Sequence, residues 1–267
     1  MSPVPVVLSI AGSDPSGGAG IQADLKTASA LGVYGAAALT ALTVQNTRGV
    51  SGIHAVPPEF VAAQVRAVLA DLEVGAVKIG MLGTADVVAA VAEVLATTDV
   101  PIVLDPVMVA TSGDRLVPED AILALRTSLL PLVTVVTPNV PEAAVLAGAP
   151  EATDADGLEV AARDLRVLGG TRAVLVKGGH LGGDESIDVL ADEDGVRSYP
   201  APRIDTPNTH GTGCSLSTAI ASHLALGMPL REAVGEAKEY VTGALRSGAT
   251  YSVGQGNGPI DHLWRTR

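Results

Sequence analysis

The sequence predicts a three-layer αβα fold: a mostly parallel central sheet with helices on both faces. Three observations carry that expectation. Short β-branched runs alternate with amphipathic helical segments along the whole 267-residue chain, and repeated strand-helix-strand units build parallel sheets. Hydrophobic residues make up 47% of the chain and charged residues 17%, so there is enough apolar material to bury a core, and general disorder is excluded. Aromatic residues are only 2%. Ala, Val, Leu and Ile must therefore fill that core, as suits strands buried on both faces under Ala-rich helices. The length fits one large α/β domain spanning residues 1–267.

Strands are expected at 4–10, 38–44, 76–79, 102–104, 133–137 and 173–176, where β-branched residues cluster. Helices are expected at 20–31, 60–72, 86–95, 119–129, 156–168, 215–226 and 230–245. The segment 60–72 puts Val61, Val65, Val68, Leu69 and Leu72 on one face, and 230–245 does the same with Leu230, Val234, Ala237, Val241, Ala244 and Leu245. An antiparallel edge is expected where 187–190 and 196–199 flank the acidic turn 191–195.

Charge and cysteine content narrow the function classes. Lys and Arg number 17 against 29 Asp and Glu, a formal net charge of -12, with no basic block anywhere. A nucleic-acid binder draws its affinity from basic clusters and its stacking platforms from aromatics, and neither is present. The apolar run 4–10 has no basic stretch before it and ends at Gly12 and Asp14, which reads as a strand and not a signal peptide. No stretch of about 18 apolar residues is free of charges or breaks, so no membrane partner is expected. The lone Cys214 excludes an internal disulfide and favours a reducing, cytoplasmic setting.

In an open α/β sheet ligands bind beyond the carboxyl ends of the strands, so chemistry is sought in the segments that follow them. The first strand is followed by a glycine-rich loop from Gly12 to Gly20, then a helix carrying Asp24. Gly18, Ala19, Gly20 and Ala23 match G-x-G-x-x-A, but no Asp or Glu lies between Asp24 and Glu59 to hold a dinucleotide ribose. Gln45 carries the donors and acceptor needed to read a heterocycle edge. Met81, between glycines, reads either as an adaptable wall for a flat ring or as core filler. Asp105 and Glu142 read either as carboxylates sharing one hydrated magnesium ion or as a turn residue and a helix-start acid. Lys177, ahead of Gly178 and Gly179, reads as a phosphate contact or as a solvated lysine.

The sharpest signal is Asn208 to Ser215, with Gly211, Thr212 and Gly213 running into an apolar helix. Such a turn directs free backbone N–H groups and the positive helix end at one point, a place for an anion. Cys214 falls in the first turn of that helix, where a thiol pKa is lowered and thiolate becomes available near neutral pH. There is no Walker sequence, so phosphate handling must rest on this turn.

Taken together, the segments 11–24, 45–47, 78–81, 105–108, 137–142, 177–180 and 208–214 resemble the hydroxymethylpyrimidine and phosphomethylpyrimidine kinases of thiamine biosynthesis, a ribokinase-like family. The resemblance covers nearly the whole chain. It implies that Asp24, Gln45 and Met81 hold the pyrimidine, with Gly12 and Val107 lining its pocket. It also implies that Asp105, Asn139 and Glu142 surround magnesium and phosphate, and that Lys177 lies near the phosphates of ATP. Gly211 to Cys214 would then form the anion hole with Cys214 as general base, and the chain would form a homodimer. Where the family leads one to expect Lys, this chain has Pro207. Three other readings compete: a pyridoxal kinase of the same branch, a dinucleotide-dependent oxidoreductase built on the Gly18 loop, and a non-catalytic pyrimidine sensor.

Overall fold

The computed structural model describes residues 4–108 and 118–266. Its centre is an eight-stranded sheet. In chain order its strands are β1 (Val6–Ala11), β2 (Tyr34–Leu39), β5 (Val74–Ile79), β6 (Ile102–Leu104), β7 (Val135–Val136), β8 (Val174–Lys177), β9 (Glu185–Asp192) and β10 (Gly195–Pro202). Across the sheet they run β10-β9-β8-β7-β6-β5-β1-β2. All pairs from β2 to β8 are parallel, and β8, β9 and β10 pair antiparallel, as the acidic turn predicts.

Alternation along each strand assigns the two faces. Val6, Leu8 and Ile10 point into one core, with Val61 and Val65 of α2 (Pro58–Asp71), Val87 and Val91 of α3 (Ala85–Leu95), and Leu158 and Leu165 of α6 (Ala155–Gly169). On the same face lie α4 (Glu119–Ala124), which widens into a π-helical turn at Leu125–Leu129, and α5 (Val140–Ala147). Val7, Ala76, Val103 and Leu175 point the other way. They meet α1 (Gly20–Ala30), α7 (Thr212–Ala225) and α8 (Leu230–Gly248). A period of two in the strands, covered by helices on both sides, is the three-layer arrangement expected.

The expectation fails instructively at 38–44. Those residues form the end of β2 and the start of β3 (Ala41–Asn46), which leaves the main sheet and pairs antiparallel with β4 (Gly49–Ala55). Thr40 makes the break. Its N–H bonds the Ala11 carbonyl, its carbonyl accepts from Val56, and its buried hydroxyl donates to the Met81 carbonyl at 2.6 Å. The Ala-rich start of β2, the glycine-containing β4 and the eight-residue α5 carry too little β-branched or amphipathic pattern to be read in advance. The ribbon β3–β4 arches over the carboxyl end of β1, with Thr43 bonding the Ser13 carbonyl at 2.8 Å.

The strand order reverses beside β1: β2 lies on one side, and β5 to β8 step away on the other. Ligands bind at such a switch point. Gly12, Gly80, Asp105, Asn139 and Lys177 all emerge there, at or just beyond the ends of β1, β5, β6, β7 and β8.

Because the Thr40 hydroxyl satisfies a buried carbonyl, Thr40→Val is expected to lower stability by about 1–3 kcal/mol. Urea unfolding checks this, and an unchanged midpoint would show that the bond contributes nothing.

Candidate active site

A cavity of about 830 Å³ opens along the carboxyl ends of the strands, within the range of small-ligand sites. One end is built from Gly12, Thr43, Gln45, Met81 and Val107. Met81 and Val107 are its apolar side chains, and Thr43 and the Gln45 amide its polar ones. The other end is lined by Asn139, Lys177, Ile204, Lys238, Val241 and Leu245. Gly213, Cys214 and Asp105 stand on the shared wall.

The glycine loop after β1 is shaped by one carboxylate. Asp14 Oδ1 accepts from the N–H and hydroxyl of Ser16, and Oδ2 accepts from the N–H groups of Gly18 and Ala19. Oδ2 also meets His210 Nε2 at 2.8 Å. Burial alone would raise the Asp14 pKa, but the bonds from His210, Ser16 and Ala19 outweigh it and hold it at about 2. The loop is thereby clasped to the residue preceding Gly211. Both sides of the contact lack side chains for a reason: a Cβ on Gly211 would stand 1.8 Å from the Gly18 carbonyl, and one on Gly18 would stand 2.4 Å from the His210 ring. Gly211 also adopts φ 81°, the left-handed region that glycine favours, as the chain turns into α7.

In the first turn of α7, where the sequence predicts an anion site, fewer amides are free than expected. Thr212 is tied back to the Thr209 carbonyl through both its N–H and its hydroxyl, while Ser215 N–H begins the helical ladder on Gly211. The N–H groups of Gly213 and Cys214 have no acceptor among the described residues and emerge from the positive end of the helix.

Cys214 corrects one expectation. The thiol is not poised near neutrality, because burial pushes it up to about 11. Asp24 and Asp105 push in the same direction, and Lys78 and the Gly20 N–H offset them only in part. Desolvation under the β1–α1 loop outweighs the helix end.

Opposite the amides lies a cluster of carboxylates and one ammonium. Lys177 Nζ meets Asp105 Oδ1 at 2.7 Å and lies 4.0 Å from Glu142 Oε2. A Cβ on Gly213 would stand 3.3 Å from both Asp105 Oδ2 and Lys177 Nζ, so the helix start abuts this pair. Asn139 and Glu142 form a reciprocal cap of α5: each side chain accepts from the other's backbone N–H at 2.8 Å. Burial, with Asp105 adding repulsion, raises the Glu142 pKa to about 7 despite Lys177. Burial would lower the Lys177 pKa, but Asp105 and Glu142 outweigh it and keep the ammonium charged.

Most of the expected site residues therefore meet at one cavity. Asp24 does not reach it. Its carboxylate sits behind the wall with both oxygens occupied, Oδ1 by Lys78 and Thr218 and Oδ2 by Lys78 and Ser9. Sequence reasoning passed over Asp14, His210 and Lys78. A charged residue inside the apolar strand 74–79 was the available sign for Lys78, because a buried charge demands a partner.

Comparison with known proteins agrees with this geometry. The family model for phosphomethylpyrimidine kinase matches residues 14–261. A hydroxymethylpyrimidine/phosphomethylpyrimidine kinase of Rhizobium meliloti is 53% identical over 261 residues, covering 97% of each chain. Among solved structures, an ADP complex of Bacillus subtilis pyridoxal kinase superposes with a TM-score of 0.90 at 36% identity, covering 98% of this chain and 99% of that one. The pyridoxal kinase of Staphylococcus aureus in complex with AMP-PCP and pyridoxal gives 0.90 at 33% identity, covering 100% and 96%. The sheet order, the helix-start amides and a match along almost the entire sequence point the same way: this chain belongs to the phosphomethylpyrimidine kinase family.

Proposed function

We propose that this chain is an ATP-dependent kinase that phosphorylates 4-amino-5-hydroxymethyl-2-methylpyrimidine and then its monophosphate. One observation carries the reading: the free amides of Gly213 and Cys214, the Lys177 ammonium and the Asp105 and Glu142 carboxylates converge where the two ends of one cavity meet. The names of its relatives, and the ADP and AMP-PCP held by its structural neighbours, support it.

The Gln45 end takes the pyrimidine, with Gln45 on its polar edge and Met81, Gly12 and Val107 against its faces. The far end takes the nucleotide, with Val241 and Leu245 of α8 facing the base and Lys177 and Asn139 facing the phosphates. Asp105 and Glu142 fit a hydrated magnesium ion. They are hard oxygen donors on one wall, and a cation there would offset the burial and the Asp105 repulsion that raise the Glu142 pKa. When bound, that ion supplies charge neutralisation across the phosphates. Phosphoryl transfer rests on positioning and electrostatics. The amides of Gly213 and Cys214 accept the charge on the transferring group, and Lys177 accompanies it. In the first transfer the minority thiolate of Cys214 takes the hydroxyl proton. In the second the acceptor is already an anion, and a neutral thiol beside it avoids the repulsion a carboxylate would bring.

A pyridoxal kinase is the second reading, favoured by the fold neighbours at a TM-score of 0.90. ADP release measured with the pyrimidine, its monophosphate and pyridoxal separates them. Turnover on the pyrimidine at least about tenfold above pyridoxal is expected, and a preference for pyridoxal would reverse the assignment.

Cys214→Ala is expected to slow the first transfer by about 10²-fold or more and the second far less. Between pH 7 and 9 the wild-type first transfer should rise with pH, because the thiol at about 11 is increasingly ionised, and the variant should be flat. Equal losses in both steps would remove the base role.

Glu142 gives a stability test. Its folded pKa of about 7 lies above the ordinary 4.5, so the folded state holds a proton that the unfolded chain has lost, and stability falls as pH rises between those values. Without metal at pH 8, Glu142→Gln should be more stable than wild type by on the order of 2 kcal/mol, with the gain gone near pH 4. A gain independent of pH in thermal melts would contradict this.

A further inference from the structure

The ribbon β3–β4 supplies one wall of the cavity: Thr43 and Gln45 of β3 and Val50 of β4 all line it. A two-stranded ribbon is marginally stable by itself, so its position depends on what fastens it. Its root is fixed by the bonds of Thr40 and by Thr43 on the Ser13 carbonyl. Its tip, where Thr47 and Arg48 join the two strands, is held by a distant part of the chain.

The Thr47 hydroxyl accepts from the N–H groups of Gln255 at 3.2 Å and Gly256 at 3.1 Å, and the Arg48 guanidinium donates to the Gln255 side-chain carbonyl. Glycine stands at every second position here, 254, 256 and 258, and each time a neighbour leaves no room for a side chain. A Cβ on Gly254 would overlap the Thr47 side chain, one on Gly256 the Thr47 carbonyl, and one on Gly258 the Asn208 side-chain amide. Asn208 fastens the other end of the segment by donating to the carbonyls of Gly248 at 2.7 Å and Tyr251 at 2.8 Å. His210 N–H adds a bond to the Gly258 carbonyl at 3.0 Å. Residues 254–258 thus form a strap, closed at one end on the ribbon tip and at the other on the turn that leads into α7. Residues 254–257 are exposed, so burial of apolar surface does not account for this close fit.

We propose that Thr47 is a positioning residue: gripped by the strap, it holds the ribbon so that Gln45 stays against the heterocycle. Thr43, Gln45 and Thr47 are half-buried and alternate with exposed Leu42, Val44, Asn46 and Arg48, which places Thr47 on the face that carries Gln45. The inference rests on the kinase reading above and names what sets its affinity for the acceptor. Apparent affinity for the heterocycle scales with the fraction of protein whose ribbon is seated. The nucleotide end is lined by Asn139, Lys177, Val241 and Leu245, from other elements, and does not draw on the ribbon. Once bound, the heterocycle itself keeps the ribbon in place, so turnover at saturation is retained.

Initial rates and calorimetry on wild type, Thr47→Val, Thr47→Ser and Gly256→Ala test this. Valine keeps the shape of threonine and removes the hydroxyl, serine keeps the hydroxyl, and the alanine methyl wedges the strap off the tip. Thr47→Val and Gly256→Ala should raise the KM for 4-amino-5-hydroxymethyl-2-methylpyrimidine about 5-fold or more. Their kcat and their Kd for AMP-PCP should stay within about 2-fold of wild type, and Thr47→Ser should match wild type to that degree in all three quantities. Thr47→Val carries the test if Gly256→Ala does not fold. An unchanged pyrimidine KM in Thr47→Val, a fall in its kcat, a parallel loss of AMP-PCP affinity, or a Thr47→Ser protein as weak as Thr47→Val overturns the proposal. With wild type turning over the pyrimidine, each of these results leaves the kinase reading standing. A wild-type protein that does not turn it over overturns both.

Discussion

The reaction centre depends on two turns meeting with no side chain between them. The loop after β1 and the start of α7 touch through Gly18 and Gly211, and a single Cβ at either position would drive backbone or ring atoms apart. Asp14 and His210 fasten that contact from the side. Everything chemical is referred to it. The Gly20 N–H reaches the Cys214 sulfur only while the loop lies on the helix. The amides of Gly213 and Cys214 point into the cavity only while Gly211 makes its left-handed turn. Asp14 remains ionised down to about pH 2, so this fastening loosens only in strong acid.

Around that contact the charges are arranged as two ammonium–carboxylate pairs close enough to act on the sulfur. Lys78 pairs with Asp24 and Lys177 with Asp105. Each pair is nearly neutral as a unit, which lets two lysines sit in a low-dielectric wall without losing their protons. The same wall keeps the thiol protonated. A centre with fixed dipoles and a neutral sulfur can accommodate both an alcohol and a phosphate monoester as acceptor. A carboxylate in the place of Cys214 would favour the alcohol and repel the ester.

Much of this was legible in the sequence, for physical reasons. Parallel strands buried on both faces show as β-branched runs, so β1, β5, β6 and β8 stand out, as do the long amphipathic helices α2 and α8. Thr40 was not legible as a break, because β2 and β3 are joined by residues of similar character and only the bonds to Ala11, Val56 and Met81 divide them. Gly211 to Cys214 announced themselves because a glycine turn before an apolar helix has few other uses. The protonation of Cys214 did not, since a helix start lowers a thiol pKa while burial raises it, and burial is a tertiary property. Asp24 was legible as a functional carboxylate but not as one turned away from the cavity: the partners that hold it, Ser9, Lys78 and Thr218, come from three distant segments.

In the proposed reaction the terminal phosphoryl group meets the start of α7. A crystal structure with AMP-PCP and the hydroxymethylpyrimidine bound together tests it most directly. The γ-phosphoryl oxygens should lie within about 3 Å of the Gly213 and Cys214 nitrogens, with Lys177 alongside. A γ-phosphoryl group held elsewhere, with those two amides facing only water, would contradict it.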